Sequence, residues 1–270
     1  MDNGAVSIRP GLPRLRPTRP HGFGTSARHV VAVDVALFTI QEGSLKVLLV
    51  KRERPPFRGF WSLPGGFVRR EESVDEAALR ELQEETGITS VYLEQLYTFG
   101  DLDRDPRGRV IAVAYYAVVN WGRFQVKTRT SPISRFASPA RLVNRKPGRV
   151  GGTAASARWF SVHRPPNLAF DHRKIVSSAL ERLCNKVNYT SVAFQLLPKT
   201  FTFSELQRAY EVILGQRLDK RNFRKKMLQL GILKETGEHR LKGRQRPARL
   251  YAFTETRVIK LQEKGIIVPF

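Results

Sequence analysis

Gly66-Phe-Val-Arg-Arg-Glu71-Glu72-Ser-Val-Asp-Glu-Ala-Ala-Leu-Arg80-Glu81-Leu82-Gln83-Glu84-Glu85-Thr86-Gly87-Ile88 is the segment on which the reading of the fold turns. Residues 74 to 85 are strong helix formers, with Val74, Ala78, Leu79 and Leu82 apolar at helical spacing. The segment is therefore expected to be an amphipathic helix packed on a core, ended by Gly87. On that helix Glu81 and Glu85 stand at i and i+4, and Glu81 and Glu84 at i and i+3, so the carboxylates occupy neighbouring turns of one face. Pro64-Gly65-Gly66 just before it predicts a tight turn where backbone can approach a ligand closely.

Three carboxylates so close repel one another, and either raise their pKa values or take up a cation. A hard dication with oxygen ligands answers that need, so Mg2+ or Mn2+ is implied. Arg80 is permanently cationic and cannot be a ligand, but its planar fork can hold a carboxylate such as Glu72 in place.

Written as G-x5-E-x7-R-E-L-x-E-E-x-G-I, the stretch resembles the Nudix box with every defining position filled. The resemblance implies a loop-helix-loop that binds divalent metal and cleaves a nucleoside diphosphate linked to another moiety. In that reading Glu81 and Glu85 hold the metal, Glu84 is ligand or base, Glu72 assists with Arg80, and Gly65 and Gly66 face the nucleotide. Phe99-Gly-Asp-Leu-Asp-Arg-Asp-Pro-Arg-Gly-Arg109 is similar to the segment that follows the box in ADP-ribose-type Nudix proteins, which turns Arg104, Arg107 and Arg109 toward phosphate. No acidic residue occurs between Pro106 and Phe170, so a catalytic base must come from the box or from Asp101, Asp103 or Asp105.

The net charge of +23 is large for a protein that handles only a small anion, and its distribution matters more than its size. Residues 30–122 carry 11 basic and 14 acidic residues, whereas 171–270 carry 21 basic and 9 acidic. Residues 123–152 hold eight basic residues and no acidic one, which marks an atypical basic insertion or loop. A hydrophobic fraction of 41% in 270 residues suits two packed domains. A single cysteine, Cys184, is incompatible with a disulfide framework or a multi-thiolate zinc site. With no apolar leader and no apolar run long enough to span a membrane, the composition points to a cytoplasmic protein without a membrane partner.

Residues 1–28 are rich in Pro, Gly and Arg and are expected to be a disordered basic arm. Strands are expected over 30–40 and 46–52 around a turn at Glu42-Gly43, then near 91–98, 110–119 and 157–162. Together with the box helix and a helix from Asp171 to Lys186, they make a mixed sheet between helices. The predicted class is α+β: a Nudix α/β/α sandwich over 29–170, a connecting helix over 171–188, a winged helix-turn-helix domain over 189–254 and a tail over 255–270.

The second domain is read from its own signals. After a short helix at 191–197, a helix over 202–214 opens on Thr or Ser and ends before Gly215, and a second opens at Asp219 and stops at Gly231. On the second, Phe223, Met227 and Leu230 face inward, leaving Arg221, Asn222, Arg224 and Lys225 outward, residue types that pair with bases and phosphate. A β-hairpin follows, and its loop carries Lys242, Arg244 and Arg246, a basic wing suited to double-stranded DNA.

The order of the two domains, with Phe201-Thr-Phe-Ser-Glu-Leu-Gln-Arg-Ala-Tyr-Glu211 and Leu218-Asp-Lys-Arg-Asn-Phe-Arg-Lys-Lys226, resembles the Nudix-related transcriptional regulators of NAD metabolism. That resemblance implies a bacterial, nucleoid-associated homodimer on a palindromic operator, with ADP-ribose or a related nucleotide as effector. The family often carries a degraded box, whereas this one is intact. Two further readings stand beside the regulator: an Mg-dependent hydrolase of the ADP-ribose pyrophosphatase type whose C-terminal domain serves dimerisation, and a nucleic-acid-associated protein with an inactive Nudix scaffold.

Overall fold

The computed structural model describes residues 29–89, 91–121, 154–187, 191–241 and 247–254. The expected arm at 1–28, the insertion at 123–152, the tail at 255–270 and the wing residues Lys242, Arg244 and Arg246 lie outside the described residues.

The first half is built on β1 (Val30–Gln41) and β2 (Ser44–Arg52), joined by Glu42 and Gly43, both at positive φ, the geometry of a two-residue hairpin turn. Short β3 (Trp61–Ser62) pairs with β2, and β4 (Gly65–Phe67) pairs with β1. The helix of the opening segment is α1 (Val74–Thr86); β5 (Glu94–Phe99), β6 (Val110–Val118) and β7 (Ala154–Ser161) follow. β6 runs parallel to β1 while the other pairings are antiparallel, so the sheet is mixed, in the order β3-β2-β1-β6-β5, with β7 also paired to β2.

β1 explains the layering. Alternate residues Val33, Val35 and Leu37 join Ala77, Ala78 and Leu82 of α1 on one face. Ala36 and Phe38 meet Ile175, Ala179 and Leu183 of α2 (His172–Val187) on the other. A strand buried on both faces reads as a nearly continuous apolar run. Each large side chain so buried contributes about 1.5–3 kcal/mol relative to exposure.

Leu79 is 44% exposed, because it borders the apolar stripe of α1, and Ala77 occupies the sheet-facing position instead. Pro64-Gly65-Gly66 is no tight turn: the two glycines are strand residues hydrogen-bonded to β1, and what they supply is close approach. Ser73 caps α1 in a reciprocal box with Glu76, and Gly87 closes it at φ 74°.

The second half begins beyond α2 with a 3-10 turn (Ser191–Leu196). Then come β8 (Phe201–Thr202), α3 (Phe203–Leu214), α4 (Lys220–Gln229), β9 (Leu233–Arg240) and β10 (Ala248–Phe253). Thr202 and Glu205 form the capping box of α3, and Asp219 caps α4. The three strands order as β8-β10-β9, so helix, helix and hairpin make a winged helix-turn-helix. One continuous hydrophobic cluster runs from the sheet through α2 into Phe201, Leu206, Tyr210, Phe223 and Met227. No helix among the described residues is long and apolar enough to cross a membrane.

Candidate nucleotide cleft and nucleic-acid surface

The α1 carboxylates are arranged by Arg80. Its Nε and Nη2 donate to both oxygens of Glu72 at 2.8 and 2.6 Å, and its Nη1 donates to Glu81 Oε1 at 2.6 Å. The bidentate bond to Arg80 holds the Glu72 carboxyl down to about 2, and the same bond raises the guanidinium. Burial pushes Glu81 up, against the pull of Arg80. Glu81 Oε2 is buried without a hydrogen-bond partner. Glu85 Oε2 accepts from the backbone N–H of Gly65 at 3.1 Å.

Glu81 and Glu85 line a cavity of about 290 Å³ together with Gly65 and Gly66. Glu84 does not line it: Arg69 Nη2 donates to both its oxygens at 3.2 and 3.3 Å, and Arg80 reaches it at 3.4 Å. The expected three-carboxylate group is therefore not gathered, and among the described residues no three His, Cys, Asp or Glu side chains are placed to hold a metal ion together. The i+3 position puts Glu84 on the flank of α1, where Arg69 neutralises it.

The three arginines after the box divide. Arg107 lines the cavity, its guanidinium carbon 4.9 Å from the ring centre of Phe67 and 5.6 Å from that of Phe170, with Asp105 as its ion partner at 2.7 Å. Arg104 also lines the cavity but is 7% exposed. It donates to both oxygens of Asp171 at 3.0 and 2.7 Å and to Asp34 at 3.3 Å. Arg109 is directed to the backbone carbonyl of Gly100 and is outside the cavity lining. Of the alternative bases, Asp101 is paired with Lys174 at 2.7 Å, Asp103 is exposed and Asp105 is paired with Arg107.

Further cleft residues emerge from the fold. Arg52 stacks over Phe170 at 4.7 Å, and burial lowers its pKa. His172 is buried; its Nδ1 accepts from Leu63 N–H at 2.8 Å and its Nε2 lies 3.3 Å from Asp34. Burial pushes the imidazole pKa down, and Nδ1, an acceptor from Leu63 N–H, carries no proton in this arrangement.

On the winged helix, Phe223 and Met227 are buried, while Arg221, Asn222, Arg224 and Lys225 are exposed along α4. Arg224 is also held in place: its guanidinium lies 4.7 Å over the Phe203 ring and Nη2 donates to Tyr251 Oη at 3.2 Å. Arg240 of β9 bonds Glu205 at 2.8 and 3.0 Å and the Thr200 carbonyl at 3.2 Å, which fixes the wing to the start of α3.

Residues 28–179 match the family model described as the NUDIX domain, and residues 193–253 match that of the NrtR DNA-binding winged helix domain. The chain belongs to the Nudix family. The second match makes it a Nudix protein of the NrtR type. It is 36% identical over 226 residues to the ADPR responsive transcriptional repressor NtrR of Acinetobacter baylyi, covering 83% of this chain and 82% of that one. It is also 36% identical over 142 residues to the ADP-ribose pyrophosphatase of Methanocaldococcus jannaschii, covering 53% of this chain and 70% of that one. In structure it is similar to Shewanella oneidensis NrtR crystallised with a 27mer DNA, at a TM-score of 0.67 and 34% identity, with 85% of this chain and 95% of the other covered.

Nudix hydrolases as a family use divalent metal ions, and the donors present here fit one: the partnerless oxygen of Glu81 is a hard anionic ligand, with Glu85 beside it. The Nudix motif itself leads only to the α1 residues. Asp34 has a weaker signal, a lone carboxylate inside the apolar run of β1, which requires an internal partner. Arg52, Phe170 and His172 have no pattern in the sequence and reach the Nudix cleft only through strand pairing and the docking of α2.

Proposed function

We propose that this chain is a DNA-binding transcriptional repressor that senses ADP-ribose or a related nucleotide through its Nudix domain. The observation that carries this is joint coverage: one relative named as an ADPR responsive repressor aligns through both domains, over 83% of this chain. The division we assign is a Nudix domain over 29–170, a connecting helix over 171–188 and a DNA-binding domain over 189–254. Two copies place two wings on a palindromic operator near NAD-related genes in the bacterial cytoplasm.

In this reading Arg107 and the backbone of Gly65 and Gly66 receive the diphosphate, while Arg221, Asn222, Arg224 and Lys225, with wing residues Lys242, Arg244 and Arg246, meet bases and phosphates. Arg104 acts beside the diphosphate from its buried site, and Arg109 supports the Gly100 backbone.

A second activity, cleavage of the bound nucleotide, is favoured by the partnerless oxygen of Glu81 in an intact box. Mg2+ or Mn2+ held by Glu81 and Glu85 would neutralise charge on the diphosphate. Arg80 orients Glu72 and Glu81 for that cation. Cleavage breaks a P–O bond of the diphosphate as water attacks phosphorus and loses a proton, which Glu84, turned from Arg69 toward the cleft, would accept.

The test is a gel-shift titration on the DNA upstream of the chain's own gene, with and without ADP-ribose and Mg2+, followed by recovery and analysis of the nucleotide. Binding that ADP-ribose weakens supports the repressor, and intact nucleotide at the end removes the hydrolase. DNA binding that ADP-ribose leaves unchanged overturns the sensor.

A further inference from the structure

We infer that Asp171 and His172 are positioning residues that couple occupancy of the nucleotide cleft to the DNA-binding domain, by fixing the first turn of α2 to the cleft floor through Arg104 and Asp34. The inference deepens the repressor reading and rests on it.

Three observations converge. The first is that the guanidinium of Arg104 is shared. It lines the cleft yet spends its hydrogen bonds on Asp34 of β1 and, through two bonds, on Asp171 at the start of α2. His172 closes the ring, tied to the Leu63 backbone at 2.8 Å and placed 3.3 Å from Asp34. A diphosphate entering the cleft is a second anionic, bidentate acceptor within reach of Arg104, so it competes with Asp171 for the guanidinium.

The second is Phe170, the residue before this cluster. It sits at φ 54°, a left-handed conformation that is uncommon for a bulky side chain. Arg52 and the cleft-facing Arg107 both stack on its ring. Movement of either arginine toward phosphate removes a contact that holds this backbone conformation.

The third is the far end of α2. Val176, Ala179, Leu183 and Val187 belong to the same hydrophobic cluster as Leu206, Tyr210 and Ile213 of α3, and Cys184 Sγ donates to the Ile213 carbonyl at 3.2 Å. A packed helix moves as a unit, so a shift at its first turn is delivered to the helix-turn-helix. Nucleotide then binds one arrangement of the domains better than the other, which is what a reciprocal coupling between two sites requires.

Asp171 does not line the cleft, so Asp171→Asn separates coupling from binding. With the full chain, ADP-ribose as probe and operator DNA, we expect DNA affinity to stay within about threefold of wild type, ADP-ribose affinity to stay the same or rise as its competitor for Arg104 is weakened, and the factor by which each ligand weakens the other to fall several-fold toward one, to the same value in both directions. An unchanged coupling factor at unchanged affinities overturns the inference and leaves the repressor reading intact. Wild-type DNA binding insensitive to ADP-ribose overturns both. If Asp171→Asn fails to fold, hydrogen exchange on the wild type decides. A peptide spanning 169–176 is expected to exchange at least twofold faster with ADP-ribose bound, and unchanged exchange there, with protection in the cleft, overturns the inference.

Discussion

Gly66 lies so close to Glu81 that a Cβ built on the glycine would overlap the buried carboxylate. β4 and α1 share this corner of the cleft only because residue 66 has no side chain, and the carboxylate is held there by Arg80.

Gly66→Ala should therefore act on the site before the fold. The methyl group must displace the Glu81 carboxylate, an overpacking that costs about 1–3 kcal/mol. We expect a Tm lower by several degrees and loss of any Mg2+-dependent gain in Tm in the presence of ADP-ribose. A variant whose Mg2+-dependent gain equals that of wild type would show that Glu81 takes no part.

Glu81→Gln should separate stability from function. It removes a buried charge with a partnerless oxygen, while Arg80 keeps Glu72 and Glu84 as partners. Without metal, the variant should melt at or above the wild-type temperature; with Mn2+ it should show no added stabilisation. Calorimetry with and without Mn2+ reads both.

Arg80→Gln tests the Glu72 clamp through pH. The folded carboxyl of Glu72 is held at about 2, below the ordinary value near 4.3, so its stabilising contribution is present above about pH 4.3 and is lost as pH falls toward 2. The stability gap between wild type and variant should narrow from pH 5 to pH 3 in urea denaturation. A gap that stays constant across that range would place the worth of Arg80 elsewhere.

Arg107 and Arg109 are near neighbours with opposite fates, one on the cleft and one on the Gly100 carbonyl. Arg107→Ala should weaken ADP-ribose binding on the order of tenfold or more, the loss of a charge-assisted contact. Arg109→Ala should change it less than about twofold if its backbone partner is all it serves. Titration calorimetry of the two variants side by side distinguishes them.

Tyr251→Phe tests how far Arg224 depends on its setting. Arg224→Ala should weaken operator binding by about 1–3 kcal/mol. Tyr251→Phe should weaken it less and leave the salt dependence unchanged, because the charge remains and only one hydrogen bond that aims it is lost. Equal losses in the two variants would mean that Tyr251 itself touches DNA.

Much of the fold is legible in the chain because local signals agree with the global arrangement. The Ser73–Glu76 and Thr202–Glu205 boxes, the αL glycines Gly87 and Gly215, and the nearly continuous apolar run of β1 all sit where the observed elements begin, end or lie buried. The legible part of the site is the part carried by one helix. Glu72, Arg80 and Glu81 are brought together as their spacing implies, whereas Glu84 is turned aside by Arg69, a residue with no fixed spacing to read. Arg104 shows the same limit from the other side: its type and place promise a phosphate contact, and its neighbours turn it into a buried tie.

The sequence by itself determined the family, the order of two domains, the helix that presents the carboxylates and the helix that presents Arg221, Asn222, Arg224 and Lys225. Those features follow from periodicity, capping and motif spacing, which act over a few turns of chain. Only the tertiary structure decided which charges pair. Asp34, Arg104, Asp171 and His172 are separated by up to 138 positions along the chain and meet because β1 is central in the sheet and α2 docks against it. In a low-dielectric interior each buried charge must find a partner, and which partner is near is settled by packing.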